Sequence, residues 1–209
     1  MDGDREIVSQ IRAGDEAAFT LLFRTHHAAL CSYAYRIVSD AEVAEDLVQA
    51  ALFGIWRYRE RWELRPGGTV RAYLYGAVRN VALQYHNHER VVHRVHDSSL
   101  RGGRAIAMGR GAGDADDNLA TRDLATAFAT ALDALPPRCR EAFVLRRAGG
   151  LSVAEVARVM RIAPKTVEVQ IGAALCLLRA ELRDWTGWSP GLSAREASPG
   201  IGRVAAEKA

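Results

Sequence analysis

The side chains most suggestive of chemistry are the histidines His86-Asn87-His88 with His93 and His96, a string that could hold a metal ion or serve a nuclease. A metal needs ligands that converge, and a nuclease site of this kind needs a strand and a carboxylate at set spacing. Here the histidines continue a helical pattern with neither context. Cys31, Cys139 and Cys176 lie far apart with no CxxC pair, so a zinc ribbon or a disulfide framework is not expected. Each falls in an apolar helical pattern, which fits buried reduced thiols in a cytoplasmic protein. No nucleophile stands beside a base and no phosphate loop occurs. The sequence therefore predicts no enzyme: no catalytic residue, no metal and no cofactor.

Nucleic-acid chemistry is better served. Arg71, Tyr75, Arg79, His86 and Arg90 follow one another round one side of a helix that starts at Thr69, with Asn80 at the flank. Before it, Arg57-Tyr58-Arg59-Glu60-Arg61-Trp62 leads into Arg65-Pro66-Gly67-Gly68, a basic and aromatic loop in which proline and paired glycines break the helix. Phosphates take cations and unpaired bases take rings to stack on, so this face suits an opened strand, with Tyr75 as the stacking platform. An arginine-rich solvated face gives the same pattern. The net charge of +3, from 28 Lys and Arg against 25 Asp and Glu, permits a polyanion partner without requiring one.

A second constellation lies between Leu135-Pro136-Pro137 and Arg183. Ser152 with Glu155 three residues on is a capping box, in which hydroxyl and carboxylate satisfy each other's helix-start amides. Val153, Val156, Ala157 and Met160 then recur at helical spacing. Arg161-Ile162-Ala163 is a three-residue connector, and Pro164 has its φ already set for the first position of another helix. Along that helix Val167, Ile171, Ala174, Leu175, Leu178 and Leu182 form one stripe, while Lys165, Thr166, Glu168, Gln170 and Arg179 point elsewhere. Short helix, tight turn and longer helix describe a helix-turn-helix, whose second helix enters the major groove. An ordinary helical hairpin in a bundle core gives the same stripes.

The elements that position these groups are all helical. Asp15 caps a helix with Phe19, Leu22, Phe23, His26, Leu30, Tyr33, Ala34 and Ile37 on one face, ending near Val38. Ser39-Asp40-Ala41-Glu42 repeats the start signal, and Val43, Leu47, Val48, Ala51, Leu52 and Ile55 make the next buried stripe. Its other face carries Glu45, Asp46 and Gln49, then Phe53 and Trp56: carboxylates beside exposed rings, as in a contact surface or a solvated face. In the helix from Thr69, the stripe Val70, Tyr73, Leu74, Ala77, Val78, Val81 and Tyr85 is expected to be buried. The expected fold is all-α: a helical domain over 5–94, a flexible linker over 95–118, a helix-turn-helix domain over 119–184 and a disordered tail over 185–209. The linker assignment follows from its Gly, Ser and Asp content and its lost periodicity. The start Met-Asp-Gly-Asp-Arg-Glu does not read as a signal peptide, and no apolar run approaches the roughly 18 residues that span a bilayer, so a cytoplasmic location and no membrane partner are expected.

Taken together, Ala44-Glu45-Asp46-Leu47-Val48-Gln49 with Phe53 and Trp56, Arg71-Ala72-Tyr73-Leu74-Tyr75, Val78-Arg79-Asn80-Val81-Ala82, and Leu135-Pro136-Pro137 before the helix-turn-helix resemble bacterial sigma factors of the extracytoplasmic-function type. The likeness covers roughly 5–93 and 120–183. It implies a subunit that binds core RNA polymerase and directs it to promoter DNA, and it leaves open an anti-sigma partner. On that resemblance Glu45, Asp46, Gln49, Phe53 and Trp56 bind core polymerase. Arg65, Arg71, Tyr75, Arg79 and Asn80 meet the minus-ten element, and Ser152, Lys165, Thr166, Glu168 and Gln170 meet the minus-thirty-five element. The rival reading is a sigma-like DNA-binding regulator that is not an initiation subunit. The chain also departs from the pattern: Gln84 stands where the family often has Asp, Ala163 replaces the usual Ser cap, and Val169, Ala173, Cys176 and Leu177 occupy places commonly polar or basic.

Overall fold

The computed structural model describes residues 2–96 and 119–183, and the side-chain surroundings of 3–89 and 123–183. The expected linker, apart from the end of the helix before it, and the expected tail lie outside the described residues. Eight α-helices make up the described chain, with one 3-10 turn and no strand among the described residues.

The N-terminal group holds α1 (Asp2–Arg12), α2 (Glu16–Val38), α3 (Ala41–Arg57) and α4 (Val70–His96). Sequence periodicity did not point to α1, yet Val8 and Ile11 bury its inner side. Its Asp4 carboxylate accepts the Val70 amide at 3.3 Å, so α1 caps α4 from outside. Asp15 caps α2 as expected, accepting from the amides of Ala17 at 2.8 Å and Ala18 at 3.1 Å. The next cap is Asp40, which accepts from Val43, and Ser39 instead ends α2 in the left-handed region at φ 59°. Leu22, Leu30, Val48, Leu52, Leu74 and Val78 fill the space between α2, α3 and α4, and burying each such side chain contributes about 1.5–3 kcal/mol.

The C-terminal group holds α5 (Leu119–Asp133), α6 (Pro137–Arg147), α7 (Val153–Met160) and α8 (Pro164–Glu181). Pro137 takes the first position of α6, and the Arg140 guanidinium reaches back to the carbonyls of Asp133 and Leu135, which fastens the end of α5 to it. Gly150, at φ +64°, turns the chain out of α6 while the Leu151 amide folds back onto the Leu145 carbonyl. Both halves of the Ser152–Glu155 capping box are formed. The connector turns at Arg161 with φ 57°, Pro164 opens α8, and Val167, Ala174 and Leu178 face inward against α6 and α7.

The two groups touch, chiefly along α4 and α7. That contact corrects the expected burial pattern of α4. Tyr73, expected inside, is 40% exposed and stacks on Trp62 with ring centroids 5.1 Å apart, whereas Tyr75 is 3% exposed and lies edge-on to Tyr33. Arg79, expected on the open side, is 5% exposed. A helix covered by α2 and α3 on one flank and by the C-terminal group on another buries a wider arc than one stripe.

Candidate polymerase and nucleic-acid interfaces

On α3 the carboxylates and amide fall where the periodicity put them. Glu45, Asp46 and Gln49 are exposed, and the Gln49 side-chain amide donates to Glu45 at 3.4 Å. Phe53, 63% exposed, stands beyond them. Trp56 does not stand free beside it: its ring is half-buried, 4.9 Å from Phe19, with the Arg59 guanidinium 4.6 Å above it. Between α2 and α3 runs a groove lined by Phe19, Phe23, Leu52, Phe53 and Trp56, with Glu16 and Gln49 at its edge. The described chain leaves this apolar floor, bordered by Glu16, Thr20 and Gln49, uncovered.

The expected minus-ten residues gather round the start and middle of α4. Arg65-Pro66-Gly67-Gly68 folds as a tight turn, with Gly67 at φ +67° and the Gly68 amide donating to the Arg65 carbonyl at 2.8 Å. Proline second, a positive-φ glycine third and this hydrogen bond are the marks of a type II turn. Arg65, Arg71 and Asn80 are exposed, and Tyr73 supplies the accessible ring. Tyr75 is withdrawn as the stacking platform, because its ring belongs to the packing against Tyr33.

Arg79 is drawn into a network instead of facing solvent. Its Nε donates to Glu141 Oε1 at 2.6 Å, and the Tyr33 hydroxyl donates to the same oxygen at 3.0 Å. Burial alone would lower the pKa of Arg79, but the hydrogen bond and charge of Glu141 outweigh it and raise the pKa, so the guanidinium stays charged. Burial first, and then the Glu141 carboxylate, push the Tyr33 phenol well above its ordinary value, so it remains a donor.

Other contacts between the groups involve the same neighbourhood. Thr69 Oγ1 accepts the Ala72 amide at 3.2 Å and donates to Glu155 of the capping box. Burial would raise the pKa of Glu155, but Thr69, the amide and hydroxyl of Ser152, and Arg158 lower it on balance. The Arg158 guanidinium donates to the Gly67 carbonyl at 2.6 Å, and that of Arg161 to Asn80 Oδ1 at 3.4 Å. Arg71 lies so close to the turn after α6 that a β-carbon at Gly150 would come within 2.5 Å of its Nη1. Sequence reasoning named Arg71, Arg79 and Asn80 but missed Tyr33, Glu141 and Arg158, because nothing in local periodicity links α2 or α4 to residues 62 to 108 positions away.

The helix-turn-helix residues divide by availability. Lys165, Thr166 and Glu168 are exposed at the start of α8, with Lys165 Nζ and Glu168 Oε2 paired at 3.2 Å. Gln170 is half-buried, and its Oε1 has no hydrogen-bond partner. Ser152 spends its one hydroxyl proton on Glu155, at 2.7 Å, which makes it a cap first. Val169, 63% exposed, and the exposed Leu177 continue the open face of α8 without charge.

Comparison with known proteins agrees with this architecture. The family model for sigma-70 region 2 matches residues 22–91, and that for sigma-70 region 4 matches residues 125–175. The chain is 30% identical over 157 residues to the RNA polymerase sigma factor CarQ of Myxococcus xanthus, covering 75% of this chain and 84% of that one. With the ECF RNA polymerase sigma factor SigL of Mycobacterium tuberculosis it shares 28% identity over 179 residues, covering 85% of this chain and 96% of that protein. The fold matches the sigma factor RpoE of Bartonella quintana, solved in complex with the anti-sigma factor NepR, with a TM-score of 0.58 at 27% identity over 79% of this chain and 96% of that one. Among the described residues no helix is long and apolar enough to cross a membrane, and no group of three or more His, Cys, Asp or Glu side chains could hold a metal. The chain belongs to the extracytoplasmic-function sigma factors of the sigma-70 family, a family of transcription initiation factors and not of catalysts.

Proposed function

We propose that this sigma factor works in the cytoplasm through three surfaces, carried by two domains that correspond to the two groups of helices. The α3 face of Glu45, Asp46, Gln49 and Phe53, with the edge of Trp56, binds core polymerase. The Arg65 turn, Arg71 and Asn80, with Tyr73 as the stacking ring, take the opened minus-ten strand, and Arg79, held by Glu141, lies behind them. The start of α8, from Lys165 to Gln170, meets the minus-thirty-five element. The observation that best supports the first surface is the open groove beneath Phe53, an apolar floor edged by Glu16 and Gln49 that nothing in the described chain covers. Since RpoE of Bartonella quintana was solved with an anti-sigma factor, an anti-sigma partner is proposed here too, as a competitor for polymerase.

Transcription with purified core polymerase on genomic templates tests the reading. Promoter-specific transcripts are expected. Asp46→Arg should abolish them by weakening association with polymerase, while its exposed position keeps the stability change within about 0.5 kcal/mol. Retention of full polymerase affinity by Asp46→Arg would remove the α3 assignment. DNA binding by the chain without specific transcripts would instead favour a regulator.

A further inference from the structure

Helix α8 buries Val167, Ala174 and Leu178, and the ridge furthest from them carries Lys165, Val169, Gly172, Ala173 and Cys176 at helical spacing. Val169 is 63% exposed. Between Lys165 and Arg179 the helix has no cation, and Lys165 Nζ is already 3.2 Å from Glu168 Oε2. This ridge lies within the match to sigma-70 region 4, on the second helix of the helix-turn-helix, the one that enters a major groove. Most of what a base pair shows there is polar: the N7 and O6 of guanine, the N4 amino group of cytosine, the N7 and N6 amino group of adenine and the O4 of thymine. An apolar side chain set against any of these removes water without supplying a partner, which is unfavourable. One group in the major groove needs no hydrogen bond, the C5 methyl of thymine.

We infer that Val169 is a thymine-reading residue: its methyl groups pack on the C5 methyl of a thymine in the upstream element, so that base preference comes from apolar contact in place of charged readout. The inference rests on the assignment of the start of α8 to the minus-thirty-five element. Val169 suits the task because a β-branched side chain is stiff at χ1 and loses little freedom on contact. Gly172, one turn further on, has no side chain, and a β-carbon there would meet nothing within 4 Å, so the base edges can approach the helix beside Val169. Thr166 and Ala173 flank Val169 at helical spacing and bring further methyl groups. The β-carbons of Val169 and Ala173, four residues apart on one helix, are about 5–6 Å from each other, and base pairs are stacked about 3.4 Å apart. Neighbouring thymines therefore fall within reach of the pair, which favours an upstream element rich in A·T pairs.

Replacing thymine by deoxyuridine removes the methyl and leaves every hydrogen-bonding group of the base pair in place, which isolates the contact. The full chain bound to core polymerase is presented with a promoter duplex from which it gives a specific transcript. Two altered duplexes compete with it, one carrying deoxyuridine for each upstream thymine and one with the upstream element scrambled. A buried group of methyl size is worth about fourfold in affinity, so wild type should prefer thymine to deoxyuridine by about fourfold for each methyl it contacts. Val169→Ala should lose about fourfold on the thymine duplex and match wild type on the deoxyuridine duplex. That match also shows that the exposed substitution has left the fold intact. The proposal is overturned if wild type does not distinguish the two bases, if Val169→Ala keeps the full preference, or if the upstream element contains no thymine. Indifference to scrambling would sink the minus-thirty-five assignment itself, whereas sensitivity to scrambling without sensitivity to deoxyuridine would sink the methyl contact alone.

Discussion

Helices α4 and α8 are both assigned to DNA, yet they are equipped in opposite ways. Around α4 the charge is plentiful and engaged: Arg79 is held by Glu141, Asn80 by Arg161, and Arg71 lies against Gly150. At the start of α8 the surface is open and almost chargeless, with Lys165 neutralised by its own neighbour Glu168. One surface has charge that is partly tied to neighbouring groups, with Arg79 buried among them; the other is accessible but has little to hold with. On the proposed assignments α4 brings the charge and α8 the accessible surface, and neither alone supplies both.

The sharpest way to break this comparison is through the two tyrosines of α4. Tyr75→Ala removes a buried ring packed on Tyr33, and large-to-small changes of this kind cost about 3–5 kcal/mol. Tyr73→Ala loses a partly exposed stack on Trp62 and should leave the fold largely intact, while weakening single-strand binding on polymerase by about 1–3 kcal/mol. Denaturant titration together with strand binding separates the two. Equal effects on stability would contradict the placement of the rings.

Next in size is the contrast between Arg79 and Lys165. Arg79→Ala takes the closest guanidinium from Glu141, and removing one partner of a buried pair costs about 3 kcal/mol, less what the exposed Arg138 at 3.7 Å and the Tyr33 hydroxyl at 3.0 Å still supply. Lys165→Ala breaks an exposed pair and should stay within about 0.5 kcal/mol. If the denaturation midpoints of the two variants coincide, the difference between the covered and open surfaces has no energetic content.

Most of the helices were legible because each has one apolar stripe and a chemical start. Asp15, Thr69 and the Ser152–Glu155 box sit where their side chains can satisfy helix-start amides. What failed was the wheel of α4. A single stripe assumes one buried side, and α4 has neighbours on several, so Tyr73 and Tyr75 exchanged places and Arg79 went inside. Helix α1 opens on polar residues that hide its periodicity, although Ile7, Val8 and Ile11 repeat at helical spacing. Of the candidate site, the exposed residues of α3 and α8 follow from local pattern alone. The Glu141 network joins residues far apart in sequence, and no local rule reaches that distance.

Acid should act on the two groups of helices in turn. Burial first, and then Arg71, lower the pKa of His26 below its ordinary 6.5, against a smaller opposing pull from Asp4. The unfolded chain therefore binds more protons there, and stability falls as pH drops below 6.5 toward the depressed value. Glu155 is also lowered, from 4.5. Its contribution is fully present above 4.5 and is lost as pH falls through the native value. A pH series of denaturation midpoints should decline in both windows, and His26→Gln should remove the upper decline alone. An upper decline that survives His26→Gln would show that another group carries it.

The smallest and most discriminating effect concerns Glu168. Its carboxylate both neutralises Lys165 and repels phosphate, unless it accepts a hydrogen bond from a cytosine amino group in the major groove. The two roles predict different outcomes for Glu168→Gln in the polymerase complex. If Glu168 merely screens Lys165, the variant frees one cation, and the slope of log affinity against log salt should steepen by about 0.9 for the phosphate gained, with base preference unchanged. If Glu168 reads cytosine, the slope should hardly move, while discrimination at one upstream position relaxes by about 1–3 kcal/mol. The Lys165 pairing favours the first outcome, because a carboxylate already 3.2 Å from an ammonium must give up that partner to accept from a base. Salt titrations of wild type and variant on templates that differ at single upstream positions separate the two. A slope and a preference that both stay at wild-type values would mean that the start of α8 does not face DNA in the initiation complex.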